Sequence, residues 1–447
     1  MPDIIFYFFL ASLIIFSCLF YGSVTAFPLA VTEAGVSLTV LFWLSEMAYR
    51  RSIHFLKTGL LIPILSLLVL LVLQLIPLPV SLIKIISPNT AYLYENFIPS
   101  VVSKRLFTLS ICPNITLSEL FKFLTYMGVF FLIVNKLETK KQFDWIVNTI
   151  IFFGFIISLF GIIQKYAYPG RVYWFDPQDS AGSAFGPFVN RNNFCGYINM
   201  IIPLALGYFL TEMPLSKRLI YGFFLGIMNL ALFLSLSRAG VLIYIAVLVF
   251  IISLSRLKDN FKSKTKTLCL WAFLILSSLI FITESKAIIN RLSTLFHKNA
   301  FVVFGHGYSW LDILGIWRDF PLFGTGLGTF GNISSMYKTN PAQSLFIYAH
   351  NDCLQLLSEV GLLGFISVSL FFVLYFNSVL RMWLRRHDSY TVCLALGGMA
   401  SVLGMLLYSL LDFNLHIPAN AMLFFLIMGL VYRLLYTRFN HGSSLSK

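Results

Sequence analysis

Residues 348–374 read YAHNDCLQLLSEVGLLGFISVSLFFVL, a polar head followed by an apolar tail. The tail, Leu356 to Leu374, has the length of the roughly 17–25 residues needed to cross about 30 Å of hydrocarbon. The head sets His350, Asn351, Asp352, Gln355 and Glu359 at the start of that run, where polar groups are expensive to hold. If helix begins near residue 350, Asp352, Gln355 and Glu359 share one face, which must look onto protein or a wet cavity. Chemistry at a membrane surface would account for this junction; a lone histidine at the interface is the plainer reading.

Runs like that tail recur along the chain and define its class. They are Ile4–Tyr21, Ala26–Tyr49, Gly59–Leu75, Leu117–Val134, Trp145–Ile163, Phe194–Leu210, Leu219–Leu236, Gly240–Leu254, Leu268–Ile282, Leu356–Leu374, Cys393–Leu411 and Ile417–Leu435. The 447 residues are 58% hydrophobic, 17% aromatic and 11% charged, whereas a soluble domain carries about 25% charge. The expected fold is an all-α integral membrane protein of about twelve transmembrane helices, a single polytopic domain over residues 1–447. The first run has no basic flank and no small-residue cleavage site, so it reads as a span and not as a cleaved signal.

Charge sets the expected orientation. Arg50, Arg51 and Lys57 share one loop, and Lys136, Lys140 and Lys141 share the next alternate one. Lys217 and Arg218, the cluster Arg256 to Lys266, Arg381 to Arg386, and Arg433 with Arg438 continue the series. All fall on one side if both termini are cytoplasmic, as the positive-inside rule requires. The net charge of +14 is then topology and affinity for anionic membrane lipids, and no basic face suited to nucleic acid emerges.

The other loops face outward on this reading, and the one from residue 283 to 355 is too long to be a simple connector. Its apolar content, Phe301, Trp310 and Trp317 included, predicts short helices on the outer leaflet. The six cysteines show no paired spacing, which speaks against a disulfide framework or a zinc site. Five arginines, Arg171, Arg191, Arg238, Arg291 and Arg318, sit in or beside outward loops. A guanidinium grips phosphate with a planar fork, so a converging set suits a phosphorylated lipid headgroup. Each could instead snorkel to the interface. Arg238, in LSLSRAG between two closely spaced runs, has almost no loop to hold it, and burial there calls for a partner. Glycines 324, 326, 328 and 331 form a tight turn that lets backbone approach another segment, not a dinucleotide fingerprint. Gly361 and Gly364 are spaced for close packing of a neighbouring helix.

His350-Asn351, nine residues, Gly361, two residues and Gly364 resemble the histidine motif of the O-antigen ligase and polymerase superfamily. Further segments agree in order and placement: LQLIPLP ending at Pro79, ICPNIT with Pro113, GPFVNRNNFCGY around Arg191, Ser237-Arg238, FPLFGTGLGTF around Gly326, and DFNLHIPAN around Asp412 and Pro418. The resemblance covers residues 73–425. It implies a bacterial inner-membrane glycosyltransferase, multi-pass, with its active site on the periplasmic side. Such an enzyme moves a glycan from undecaprenyl diphosphate to an acceptor hydroxyl on another glycan or lipid A core, with no nucleotide sugar, cofactor or metal. By matching position His350 would be the catalytic histidine, and Arg238 and Arg291 the arginines on the diphosphate. Arg191, Arg318, Arg171 and Asn351 complete the expected substrate contacts; Arg171 with Gly182 also fits a spacing seen in polymerases. Glu359, nine helical residues from His350, is about 13 Å along the axis and reads as a structural or cavity residue.

The expected reaction is a single displacement with inversion: the arginines hold the leaving diphosphate and His350 deprotonates or positions the acceptor. A flippase or other polysaccharide transporter is the alternative, though such proteins place ionisable pairs at the bilayer midplane. Here only Glu33 and Glu46 fall near it. A scaffold of an export complex gives no reason for the histidine and arginines.

Overall fold

The computed structural model describes residues 2–49, 58–97, 106–173, 184–283, 310–339 and 347–439. The chain opens with α1 (Pro2–Leu19), α2 (Ala26–Tyr49) and α3 (Leu61–Leu75). Two short helices, α4 (Val80–Ile86) and α5 (Pro88–Phe97), sit between β1 (Leu78–Pro79) and β2 (Leu106–Phe107), which pair antiparallel. There follow α6 (Pro113–Lys136), α7 (Lys140–Ala167), α8 (Arg191–Phe209), α9 (Leu215–Leu234), α10 (Arg238–Ser255) and α11 (Lys264–Thr283). The small helices α12 (Trp310–Asp319) and α13 (Phe330–Ile333) precede α14 (Asp352–Arg385), α15 (Ser389–Tyr408) and α16 (Pro418–Tyr436).

Among the described residues, twelve helices have 15 or more residues and overlie the twelve apolar runs of the sequence. Eight of them, α2, α6, α7, α9, α10, α14, α15 and α16, are long and apolar enough to cross a membrane. The chain is thus an all-α, multi-pass membrane protein. α1, α3 and α11 carry shorter apolar stretches. α8 falls short of that apolarity because it is packed by protein along its length. Its Asn199 amide donates to the Gly240 carbonyl (3.0 Å), and the Asn420 amide reaches the Asn193 carbonyl (3.1 Å). A helix screened from lipid can keep such amides, which donate here to neighbouring carbonyls.

Six helices that begin at the His350 end of the bundle, α2, α6, α8, α10, α14 and α16, run toward the opposite end. There Lys136 pairs with Glu46, Lys258 caps the carbonyls of Leu384 (2.6 Å) and Arg386 (2.8 Å), and Arg433 bonds to Leu137. Glu46 therefore lies at a helix end in an ion pair, not at mid-bundle as the sequence suggested. Arg50, Arg51, Lys57, Gly182, Arg291 and Phe301 lie outside the described residues.

The two long segments flanking the site dock on each other. α12 buries Ile313 and Ile316 with Phe320, Phe330, Ile333 and Ala349 in a small core beside α14. The α4–α5 segment joins it through the Asn89 amide on the Asp319 carbonyl (2.8 Å) and the Ile111 N–H on the Thr325 carbonyl (2.9 Å).

The pivot is a gap in α14. Gly361 has φ 62° and ψ −169°, so the helix stops and restarts there. The opened backbone groups are taken up by residues 321–326. Leu362 and Leu363 donate to the Pro321 and Leu322 carbonyls (2.8 and 3.3 Å). Thr325 and Gly326 donate to the Ser358 and Glu359 carbonyls (3.1 and 2.9 Å). Glycine is required on both sides: a Cβ on Gly361 would lie 2.4 Å from the Leu322 carbonyl, and one on Gly324 would lie 2.3 Å from that of Glu359. The glycine-rich stretch is thus a turn that admits a second backbone, as expected. Gly361 is the correction, since it meets this turn and not a neighbouring helix. Gly364 does face a helix, with a Cβ there 2.8 Å from Leu70 of α3.

Gly361→Ala is expected to destabilise the protein by about 1–3 kcal/mol, combining overpacking with a strained positive φ. The thermal unfolding midpoint in detergent measures it. Gly59→Ala, with nothing within 4 Å of the added carbon, is the control and should leave the midpoint in place.

Candidate active site

Three helices begin side by side with side-chain caps that satisfy their first amides. Asn190 caps α8 by accepting from Asn192 N–H, Ser237 caps α10 from Gly240 N–H, and Asn351 caps α14 from Leu354 N–H. Arg191 and Arg238 are consequently the first helical residues of α8 and α10. His350 precedes the third cap, with a positive φ of 51°. Such a backbone is uncommon outside glycine and is held only where its surroundings over-determine it.

Here they do. On the C-terminal side Asn351 donates to the Leu410 carbonyl (3.1 Å) and Asp352 N–H to the Ser409 carbonyl (2.8 Å). On the N-terminal side Ala349 N–H donates to Gln355 Oε1 (2.8 Å). The ring of Phe413 stacks on Tyr348 with centroids 4.8 Å apart, and meets His350 edge-on at 4.7 Å.

The His350 imidazole is fixed by a carboxylate. Nδ1 lies 2.9 Å from Asp412 Oδ1, and the side chains are 13% and 2% exposed, so water competes little for the contact. Asp412 also accepts from its neighbour Phe413 N–H (2.9 Å) and, on Oδ2, from the Asn192 amide (2.7 Å). Asn192 Oδ1 accepts the Ser237 hydroxyl (2.7 Å), and the Tyr408 hydroxyl lies 3.1 Å from Ser237 Oγ. Every donor in this chain points toward Asp412. A carboxylate that only accepts requires a proton on Nδ1 of His350. Asn192 and Ser237 each adjoin an arginine in sequence, so the network reaches the N-termini of α8 and α10, whose first residues are Arg191 and Arg238.

A second histidine completes the arrangement. His416, in the turn Asn414–His416 between α15 and α16, sets Nδ1 2.7 Å from Asp352 Oδ1. Segments 348–359 and 408–416 thus exchange two pairs, His350 with Asp412 and His416 with Asp352. Burial opposes a charge on His416, but Asp352, Glu359 and Glu119 outweigh it and hold its pKa above the ordinary 6.5. Tyr348, half-buried and facing Glu119, Glu359 and Asp352, is pushed up to about 12 by desolvation and those carboxylates. Glu359 binds the glycine turn, accepting from Gly328 N–H (2.8 Å) and Phe330 N–H (3.2 Å). It is a structural residue, in line with its distance from His350.

Residues 222–369 match the O-antigen ligase family model. Over this stretch the chain is similar to the O-antigen ligase and polymerase superfamily, which suggests an enzyme of the glycosyltransferase type. No curated protein matches it. The matched residues include Ser237, Arg238, the glycine turn and His350 through Gly364; Arg191, Asn192, Asp412 and His416 lie outside them.

Of the residues expected from sequence, His350, Asn351, Arg191 and Arg238 come together around this network. Arg318 lies on the exposed face of α12, and Arg171 is exposed after α7, where its carbonyl accepts from Gln164. Arg291 is outside the described residues. Sequence reasoning missed the role of Asp412 and passed over Asn192 and His416. Their signal was present: H-x-D at 350–352 is mirrored by D-x3-H at 412–416.

Asp412→Asn keeps the shape but offers a donor where an acceptor is needed, so His350 loses its tautomer. Glycan transfer by this variant is expected to fall by about 10²–10⁴-fold, at unchanged protein yield, in an assay of product formed per mole of purified protein.

Proposed function

We propose that this chain transfers a glycan from a polyprenyl diphosphate carrier to an acceptor hydroxyl, with His350 as catalytic base. The twelve long helices all span the bacterial inner membrane, both termini are cytoplasmic, and the site faces the periplasm. The observation that carries the reading is the hydrogen-bonded line from His350 through Asp412 and Asn192 to Ser237. It joins a base with an oriented lone pair to two helix N-termini that each present an arginine. A lipid-linked diphosphate needs both: fixed positive charge where its leaving oxygens gather charge, and a base beside the hydroxyl that attacks.

In this mechanism the acceptor oxygen bonds to the anomeric carbon as the bond from that carbon to the phosphate oxygen breaks. The electron pair leaves with the diphosphate, held by Arg238 and Arg191, with Arg291 the further candidate for this role. The acceptor proton passes to Nε2 of His350, and the imidazolium is stabilised by the buried Asp412 carboxylate. Attack opposite the leaving group inverts the anomeric centre. Arg318 and Arg171, both exposed, fit contacts with the glycan or the acceptor better than with the reacting atoms.

The test uses protein in vesicles supplied with a polyprenyl-diphosphate glycan and acceptor. His350→Ala is expected to abolish transfer and Arg238→Ala to lower it by about 10²–10³-fold, the loss typical of one electrostatic contact to a transition state. Both should insert at wild-type abundance. Near-normal transfer by His350→Ala would sink the reading. Deletion in the source cell separates the two acceptors: free long chains unattached to lipid A indicate a ligase, and single-repeat products a polymerase.

A further inference from the structure

The His416–Asp352 pair has no part in the proton transfer above, yet it is wired to the backbone of His350 through Gln355. The Gln355 amide is fixed at three points. Its Oε1 faces Ala349 N–H at 2.8 Å, and because that partner can only donate, the oxygen must be there. Its Nε2 then donates one proton to Glu359 Oε1 at 3.0 Å. The other is directed at Nε2 of His416, also at 3.0 Å. An NH₂ group cannot accept, so His416 Nε2 must carry its lone pair, and its single proton resides on Nδ1 facing Asp352.

We propose that neutral His416 is a positioning residue for the transfer reaction: it holds the Gln355 amide, which pins Ala349 N–H and with it the left-handed backbone of His350. A second proton on His416 would put two donors face to face. The amide could relieve this only by turning over, which would present NH₂ to Ala349 N–H and oxygen to the Glu359 carboxylate. Either way the N-terminal hold on His350 is lost. The groups facing His416 are Asp352 and Glu359 of α14, Glu119 of α6 and the Tyr348 ring, centroid 4.9 Å away. All three carboxylates favour the second proton, so acid reaches this imidazole above the ordinary histidine range.

The sign separates this effect from unfolding. A histidine whose folded pKa is raised adds stability at low pH and loses it as pH rises. Mild acid should therefore lower transfer while His416 itself adds to the stability of the fold. The inference rests on His350 being the base.

The test measures transfer by the full-length protein in vesicles from pH 5 to 9, for wild type, His416→Phe, His416→Gln and His350→Ala. Wild type should lose activity as pH falls, with a midpoint above about 6.5. His416→Phe, which leaves Gln355 without its acceptor, should transfer about 5- to 100-fold more slowly at neutral pH. His416→Gln supplies a carbonyl oxygen that cannot titrate, so it should recover most of that loss and move the acid midpoint to lower pH. An unchanged acid limb in His416→Gln, or wild-type transfer by His416→Phe, would overturn the proposal. Imidazole ¹⁵N spectra need no transfer assay: the signal absent from His416→Gln should report the neutral Nδ1–H tautomer in alkaline buffer, and the Nε2–H tautomer would refute it. If His350→Ala remains active the function reading fails; if it is inactive and either histidine-416 test fails, this inference alone does.

Discussion

The gap in α14 at Gly361 is the constraint on which the site depends. Breaking a helix inside a membrane protein exposes amides and carbonyls that lipid cannot satisfy, so another backbone must take them. Residues 321–326 do so, with bonds in both directions to residues 358–363. The crossing works only because glycine stands on each side of it. It makes residues 321–326 a brace against the start of α14. Glu359 then ties the next turn of that segment down through Gly328 and Phe330. What results is a short fixed helix, Asp352 to Val360, that carries Gln355 and anchors His350 at its tip.

On that brace the two histidines acquire their partners by exchange between two distant segments. His350 reaches Asp412 and His416 reaches Asp352, each at a distance set by packing of Tyr348 and Phe413. In a site with little water these contacts are stronger than at a surface, and leaving one unpaired costs correspondingly more. The caps of α8, α10 and α14 bring three positive helix ends to the same region without placing a bare charge in it. Arginine at the first position of two of them adds charge that is directed by the fold and not by a flexible loop.

The polar stripe of Asp352, Gln355 and Glu359 was legible because helical spacing puts those residues on one face, and each is buried in protein. His350 and Arg238 were legible as polar residues in settings where lipid tolerates few. Asp412, Asn192 and His416 were harder. Their significance lies in hydrogen bonds to residues 62, 220 and 64 positions away, and no local pattern encodes such partners.

The sequence by itself determined that the chain is an all-helical membrane protein and where its long helices fall. Hydrophobic runs of membrane length and the distribution of lysine and arginine are local quantities, so they survive without a structure. Only the tertiary structure decided that Gly361 breaks its helix, that Glu46 pairs with Lys136 at a helix end, and which carboxylate each histidine meets. Those outcomes turn on which backbone groups and side chains meet across the bundle. Desolvation makes such meetings compulsory, but the sequence alone does not name the partner.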